Sequence, residues 1–186
     1  GSLQPVAELA EVARARGALM HTDAAQSVGK VPVDVRALGV DLLSIAGHKL
    51  YAPKGVGALF VRAGLKLPPL LLGAGHERGV RPGTENVASI VALGEACRLA
   101  GEDMAEEAAR VRALRDRLLE RLAGEVQGLA LNGHPQLRLP NTLNVRFPGV
   151  SGNAVLAAAP EVAASTGSAC HDHGEEPSAV LLAQGL

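Results

Sequence analysis

Apolar positions recur along this chain at helical and strand spacings, and they divide it into elements. Val6, Leu9, Ala10 and Ala13 stand at i, i+3, i+4 and i+7, with Pro5 ahead of them and Gly17 behind. That spacing gives a helix one apolar stripe, while Pro suits a first turn and Gly a stop. Residues 18–22 form a short apolar segment that reads as a strand ending at Asp23, and residues 32–38 read as a short helix closed by Gly39. Residues 40–46, VDLLSIA, are apolar apart from Asp41 and Ser44, as expected of a strand covered on both faces of a parallel sheet. Residues 56–62 supply a third strand. Helix alternating with strand predicts a doubly wound α/β sheet.

Beyond residue 62 the pattern changes. Residues 63–83 hold too much Gly and Pro for a regular element. Residues 84–86 can cap a helix running from 87 to about 99, which Gly101 weakens without necessarily ending. Residues 104–122 are strongly helical, with Val111, Leu114, Leu118 and Leu122 on one face and Glu106, Glu107, Arg110, Arg112 and Arg115 on the other, read as a solvated face. Short strands follow at 129–131 and 142–147, with Asn132 and Gly133 as a turn. A helix at 152–159 stopped by Pro160, a brief strand at 162–164 and a last helix opened by Pro177 complete a smaller α+β unit.

Composition narrows the function. A formal net charge of -1 and 2% aromatic residues leave neither a basic stripe for a phosphate backbone nor a stacking platform for bases, which argues against nucleic acid. No apolar run reaches a membrane span and the amino terminus lacks a signal peptide's pattern, so a soluble protein is expected. Two cysteines, Cys97 and Cys170, are too few for a disulfide framework and favour a reducing, cytoplasmic setting.

Candidate chemistry collects at the end of the 40–46 strand. Gly47 ends the apolar run and lets the backbone approach a bound group, and carboxyl ends of strands in open α/β sheets are where ligands sit. His48 and Lys49 follow, so Lys49 is placed where a buried amine can do chemistry; the rival reading is a solvated surface lysine. For His48 the rival is a core histidine satisfied by backbone. The glycines of the GAG run at 73–75 do not make a dinucleotide fingerprint, because no βαβ unit surrounds them. Cys170 follows three small residues, Gly167, Ser168 and Ala169, and precedes the polar HDHGEE run, which suits an exposed loop. His171 and His173 can favour thiolate there, while a metal site is disfavoured because no second ligand pair stands at a zinc spacing. Cys97, on the apolar face of a helix, reads as a packing residue.

Four motifs in register, HTDAAQS at 21–27, SIAGHK at 44–49, RPGTEN at 81–86 and STGSACHDHGEEPS at 165–178, resemble those of the cysteine desulfurases. The related selenocysteine lyases share nearly the same motifs. The resemblance implies a pyridoxal phosphate-dependent transferase of fold type I, with residues 1–105 as the C-terminal half of a large cofactor-binding domain and 106–186 as a truncated small α+β domain. The sheet of the large part is then expected to be mainly parallel. It also implies a partial chain, since members of that family run to roughly twice this length, within the range usual for two domains. Lys49 would form the Schiff base, Asp23 would keep the pyridine nitrogen protonated, Gln26 would meet the ring's phenolic oxygen, and His48 would contact phosphate or move a proton. Thr84 would reach the phosphate of a partner subunit in a homodimer. Cys170 would take sulfur from L-cysteine as a persulfide and pass it to an acceptor or scaffold protein. Selenocysteine is the alternative substrate, and a fold-only remnant without catalysis is the alternative from another class. The chain departs from the family pattern at Ala46, where a phosphate-binding hydroxyl is usual.

Overall fold

A computed structural model describes residues 1–164, 166 and 178–185. Helix α1 (Val6–Ala15) leads into strand β1 (His21–Asp23), the single-turn helix α2 (Val35–Leu38) and strand β2 (Leu42–Ala46). A 3₁₀ turn (Gly47–Leu50) and strand β3 (Gly57–Val61) follow. Helices α3 (Val87–Glu102) and α4 (Met104–Glu125) then lead to strands β4 (Ala130–Leu131) and β5 (Val145–Arg146) and helices α5 (Gly152–Ala157) and α6 (Ala179–Ala183).

The local reasons for the first elements are legible residue by residue. The Asp34 carboxylate caps α2 by accepting from the amides of Arg36 at 2.7 Å and Ala37 at 3.3 Å. Gly39 ends it at φ 64°, a conformation glycine adopts without penalty. There the Gly39 carbonyl accepts from Arg14 Nη2 at 2.9 Å, tying α1 to α2. Ala10, Ala24, Val40 and Leu43 form the buried core, with Val6, Met20, Val28, Val33, Val35, Leu38, Ile45 and Phe60 packed around it. One face of β2 therefore rests on α1, α2 and the connecting segments.

The sheet order is β1-β2-β3. β1 runs parallel to β2, with Asp23 opposite Ser44, whereas β2 and β3 pair antiparallel from Leu42 opposite Val61 to Ala46 opposite Gly57. The mainly parallel pairing expected from sequence thus does not hold for this trio. A parallel return needs a crossover of a dozen or more residues, and the link between β2 and β3 is a tight turn instead. Gly47 makes that turn possible: its amide donates to the Val56 carbonyl at 2.9 Å, and an added Cβ would meet the same carbonyl oxygen at 2.7 Å.

Asp41 fastens the other end of the trio. Its carboxylate accepts from the Met20 amide at 2.8 Å and from Arg62 Nε at 2.6 Å, and its own amide and carbonyl bond Met20 and Arg62 in return. The residues just before β1, before β2 and after β3 meet on one side chain. Bonding to the Met20 amide, followed by the Arg62 side chain, holds the Asp41 carboxyl below its ordinary range.

In the second half, α4 starts where expected but runs to Glu125, beyond the expected end at 122, and it is turned about its axis. Met104, Ala108, Val111, Arg115, Leu119 and Leu122 are its half-buried positions, while Leu114 and Leu118 are half exposed. Arg115, expected on the solvated face, has a side chain only 9% exposed, and its Nη1 donates to the Leu139 carbonyl at 2.9 Å. A guanidinium on a long apolar stem satisfies carbonyls that a leucine at that position would leave bare. β4 and β5 pair antiparallel, and the Asn132 side chain donates to Asn144 Oδ1 at 2.7 Å. Only Val145–Arg146 of the expected 142–147 strand is paired, and residues 162–164 form no strand. The first residues join this unit too: the Leu3 amide donates to the Leu137 carbonyl and the Leu139 amide to that of Gly1. α6 begins after Ser178, whose hydroxyl accepts from the Leu181 amide at 3.3 Å; Pro177 lies outside the described residues.

Two outcomes test this frame. Asp41→Asn lowers the denaturation midpoint at neutral pH, and the difference from the parent closes as pH falls. A carboxyl depressed in the folded state stabilises above its unfolded pKa of about 3.9, and that contribution is lost as pH drops through the lower folded value. Urea melts at pH 7 and pH 3 measure both. Gly47→Ala costs about 1–3 kcal/mol through overpacking against the Val56 carbonyl, read in the same melts.

Candidate functional site

The carboxyl ends of the parallel pair β1 and β2 gather the chemistry. β1 ends at Asp23, whose Oδ1 accepts from the Ala25 amide at 2.8 Å. Such a bond from the residue two positions on turns the chain sharply after the strand. Asp23 is exposed, and among the described residues its second oxygen carries no partner. The Ala24 amide donates to the Ser44 carbonyl at 2.9 Å, so the turn starts from the β2 ladder itself.

Residues 24–31 coil above the sheet and pack on the 47–50 turn. The Ser27 and Val28 amides both donate to the Ala24 carbonyl, and those of Lys30 and Val31 to the Ser27 carbonyl. At φ 74° Gly29 lies so close to Leu50 that an added Cβ would meet Leu50 Cδ2 at 2.5 Å. Gln26 is exposed, and its carbonyl accepts from Lys30 Nζ at 3.1 Å.

The turn presents His48 and Lys49 while burying its flanks. Gly47 and Leu50 are buried, whereas both His48 and Lys49 are exposed. Lys49 stands where the sequence placed it, though exposed and not buried. α3 packs against the turn, and Leu93 is its buried residue, so the tip rests on a helix. Tyr51 closes the turn at φ 65°, a left-handed conformation costly for a side chain with a Cβ, and is itself fully exposed. Ser44 is engaged elsewhere: its hydroxyl lies 2.7 Å from His21 Nε2. It therefore does not stand in for the hydroxyl missing at Ala46. His21, two residues before Asp23 and so on the same face of β1, was not singled out by sequence reasoning; only the i, i+2 spacing to Asp23 signalled it.

Thr84 is exposed and does not cap α3. Asn86 does, its Oδ1 accepting from the Ser89 amide at 3.3 Å. Thr84 is thereby left without the capping role that would have explained it. Cys97 is half-buried and lines an apolar cavity of about 260 Å³ between Val28, Val31, Leu43, Ile45 and the α3–α4 junction, in keeping with a packing role. Cys170, His171 and His173 lie outside the described residues. Among the described residues no group of His, Cys, Asp and Glu is placed to hold a metal ion, and no helix is long and apolar enough to cross a membrane.

Known proteins resemble this chain in sequence and fold. Cysteine desulfurase IscS 1 of Archaeoglobus fulgidus is 45% identical over 188 residues, covering all of this chain and 49% of its own length. The cysteine desulfurase of Gluconacetobacter diazotrophicus is 50% identical over 185 residues, covering 98% of this chain and 46% of its own. In solved structures, a NifS-like protein from Rickettsia africae superposes with a TM-score of 0.83 at 30% identity, covering 90% of this chain and 47% of that one. The chain thus spans about half the length of the relatives it matches. Its fold is that of the fold type I pyridoxal phosphate-dependent transferases, in part. Residues 1–185 match the family described as aminotransferase class-V, and the chain belongs to that family.

Proposed function

We propose that this chain is the lysine-bearing part of a pyridoxal phosphate-dependent cysteine desulfurase, which takes sulfur from L-cysteine and leaves L-alanine. The observation that carries the reading is the joint placement of Asp23 and Lys49 at one end of the β1–β2 pair, each exposed on a turn fixed by backbone bonds. The residues fit the cofactor. Asp23 has one oxygen anchored and the other unpartnered, as a carboxylate must to accept from a ring N–H. The names of the relatives above support the same substrate class.

Bound pyridoxal phosphate supplies an aldehyde carbon for amines and a ring that takes up electron density. Lys49 would hold the aldehyde carbon, Asp23 would keep the ring nitrogen protonated, and the Gln26 amide would meet the phenolic oxygen. His48 would contact phosphate or shuttle a proton beside Lys49. Thr84 would serve the phosphate in a second subunit of a homodimer. Cys170 would accept the substrate sulfur and deliver it to an acceptor or scaffold protein in the cytoplasm. We further propose residues 1–105 as part of the large domain and 106–186 as part of the small one, with residues 1–3 bonded to the latter.

Two experiments test these roles. Pyridoxal phosphate added to this chain, followed by borohydride and peptide mapping, leaves the pyridoxyl mass on Lys49; a label on Lys30 or Lys54 with none on Lys49 overturns the assignment. In the complete protein, a single turnover of L-cysteine adds sulfur to the peptide carrying Cys170. Sulfur on the Cys97 peptide alone would reverse the assignment of the two thiols.

A further inference from the structure

Arg138 is a buried cation without an anion. It is 7% exposed, and among the described residues no carboxylate pairs with it. Its Nε donates to the His134 carbonyl at 2.8 Å and its Nη2 to that of Asn132 at 2.7 Å, while Nη1 has no partner among the described residues. Two of the five N–H groups of a guanidinium are thus used, and a buried charge met only by neutral carbonyls is costly. Burial first, and then the charge of Arg115, disfavour its protonated form.

We propose that the cavity lined by Arg138 is a binding site for a single carboxylate, which accepts from the free Nη1 arm. The cavity measures about 220 Å³, enough for a small organic acid, since a water molecule takes up about 30 Å³ of liquid. Ser2, Gln4, Thr142 and Asn144 line it beside Arg138, and Val180 and Leu181 of α6 add an apolar wall. Arg138 carries the only ionisable side chain in that lining. One positive charge on a planar fork matches the single negative charge and two oxygens of a carboxylate, whereas a phosphate would call for further cations. The site is independent of the roles given to Asp23 and Lys49.

The frame around Arg138 is fixed by backbone bonds. The Leu3 amide donates to the Leu137 carbonyl at 2.9 Å and the Leu139 amide to the Gly1 carbonyl at 2.8 Å, so Ser2 faces Arg138 in an antiparallel bridge. The Ser2 hydroxyl accepts from the His134 amide at 2.9 Å, which leaves its own proton to donate. At φ 79° Gly133 lies so close that an added Cβ would meet Ser2 Oγ at 2.6 Å. The lining is also short of one donor, because the buried Asn132 Oδ1 has no hydrogen-bond partner. Other charged groups nearby are engaged or turned to water: Arg115 and Asp116 of α4 pair at 2.7 Å, His134 Nδ1 accepts from the Gln136 and Leu137 amides, and Arg146 of β5 is exposed. Residues 1–4 and α6 bring no ionisable side chain. The carboxylate can be that of a free small acid, or of a side chain in the part of the protein beyond this chain, which spans about half the length of its relatives.

The test melts the complete protein and its Arg138→Gln variant at pH 7 in sodium acetate and in sodium chloride of equal ionic strength. For a free acid, acetate raises the parent's midpoint above that in chloride, and the rise grows with concentration. Arg138→Gln then weakens the apparent affinity by about tenfold or more, since it removes the only charge in the lining. For a carboxylate built into the protein, acetate adds nothing. Its pairing with Arg138 lowers its folded pKa, so the midpoint gap between parent and variant, present at pH 7, closes towards pH 3. Asp116 and His134 titrate in both proteins and cancel from that gap. A parent indifferent to acetate, with a gap equal at pH 7 and pH 3, overturns the proposal, as does a variant that answers acetate as the parent does. The guanidinium nitrogen resonances of Arg138 in the parent decide the matter without a variant. They move with acetate for a free acid, or with acid through the carboxylate range for a built-in one, and resonances that move in neither titration overturn the site.

Discussion

The contact between Gly47 and the Val56 carbonyl governs the geometry of the site. A strand leaving the sheet can return beside itself only if the backbone closes tightly, and here the amide of residue 47 and the carbonyl of residue 56 are 2.9 Å apart. The Ala52 amide donates to the Gly47 carbonyl at 3.1 Å, closing the 47–52 turn inside that neck. With the neck closed, His48 and Lys49 project from a turn whose inner residues, Leu50 and Ala52, are buried. A lysine at the tip of a loose loop would sample many positions. One on a turn bonded at its neck and packed on α3 has its backbone held near one place, which is what covalent capture of a carbonyl needs.

The opposite end of the same three strands is held by charge. Asp41 joins residues 20, 41 and 62 through side chain and backbone together, and this fixes the β1–β2 register that sets Asp23 opposite Ser44. Because side chains alternate along a strand, a slip of one residue there would carry Asp23 to the other face of the sheet. The carboxylate at the amino end of β2 therefore determines where the carboxylate at the carboxyl end of β1 points. Site geometry is inherited from a bond several residues away that touches no ligand.

How much of this was legible in the sequence depended on how local the cause was. Helix α1, the stop at Gly39, the strand beneath Lys49 and the start of α3 at Val87 follow from spacing and from neighbours within a few residues. The antiparallel return of β3 was not read, because two strands and a linker look the same in sequence whichever way the second runs. The face of α4 was misassigned for a related reason. Val111 and Leu122 are half-buried as expected, but Leu114 and Leu118 obey the helical period as well as Leu119 does, and the half-buried stripe instead includes Leu119 and Arg115, whose guanidinium reaches the Leu139 carbonyl, 24 residues away. Likewise the His21–Ser44 bond crosses two strands, and no spacing rule within either strand announces it.

The exposure of the site is itself informative about its chemistry. Asp23, Gln26, His48, Lys49 and Thr84 are all exposed in this chain, and so are Leu70 at 95%, Leu72 at 91% and Tyr51 at 101%. A charged group has its electrostatic effect cut several-fold in water relative to a drier setting. The described residues thus hold the charged groups in place but leave them screened. Tyr51, two residues beyond Lys49, leaves its ring in water at the end of the turn, and covering that surface would lower the local dielectric and strengthen the effect of the charges. On this argument, covering that surface and sharpening the electrostatics of Asp23 and Lys49 are a single event. The bonded turns of this chain place the groups, and the strength of their fields depends on how dry their surroundings are.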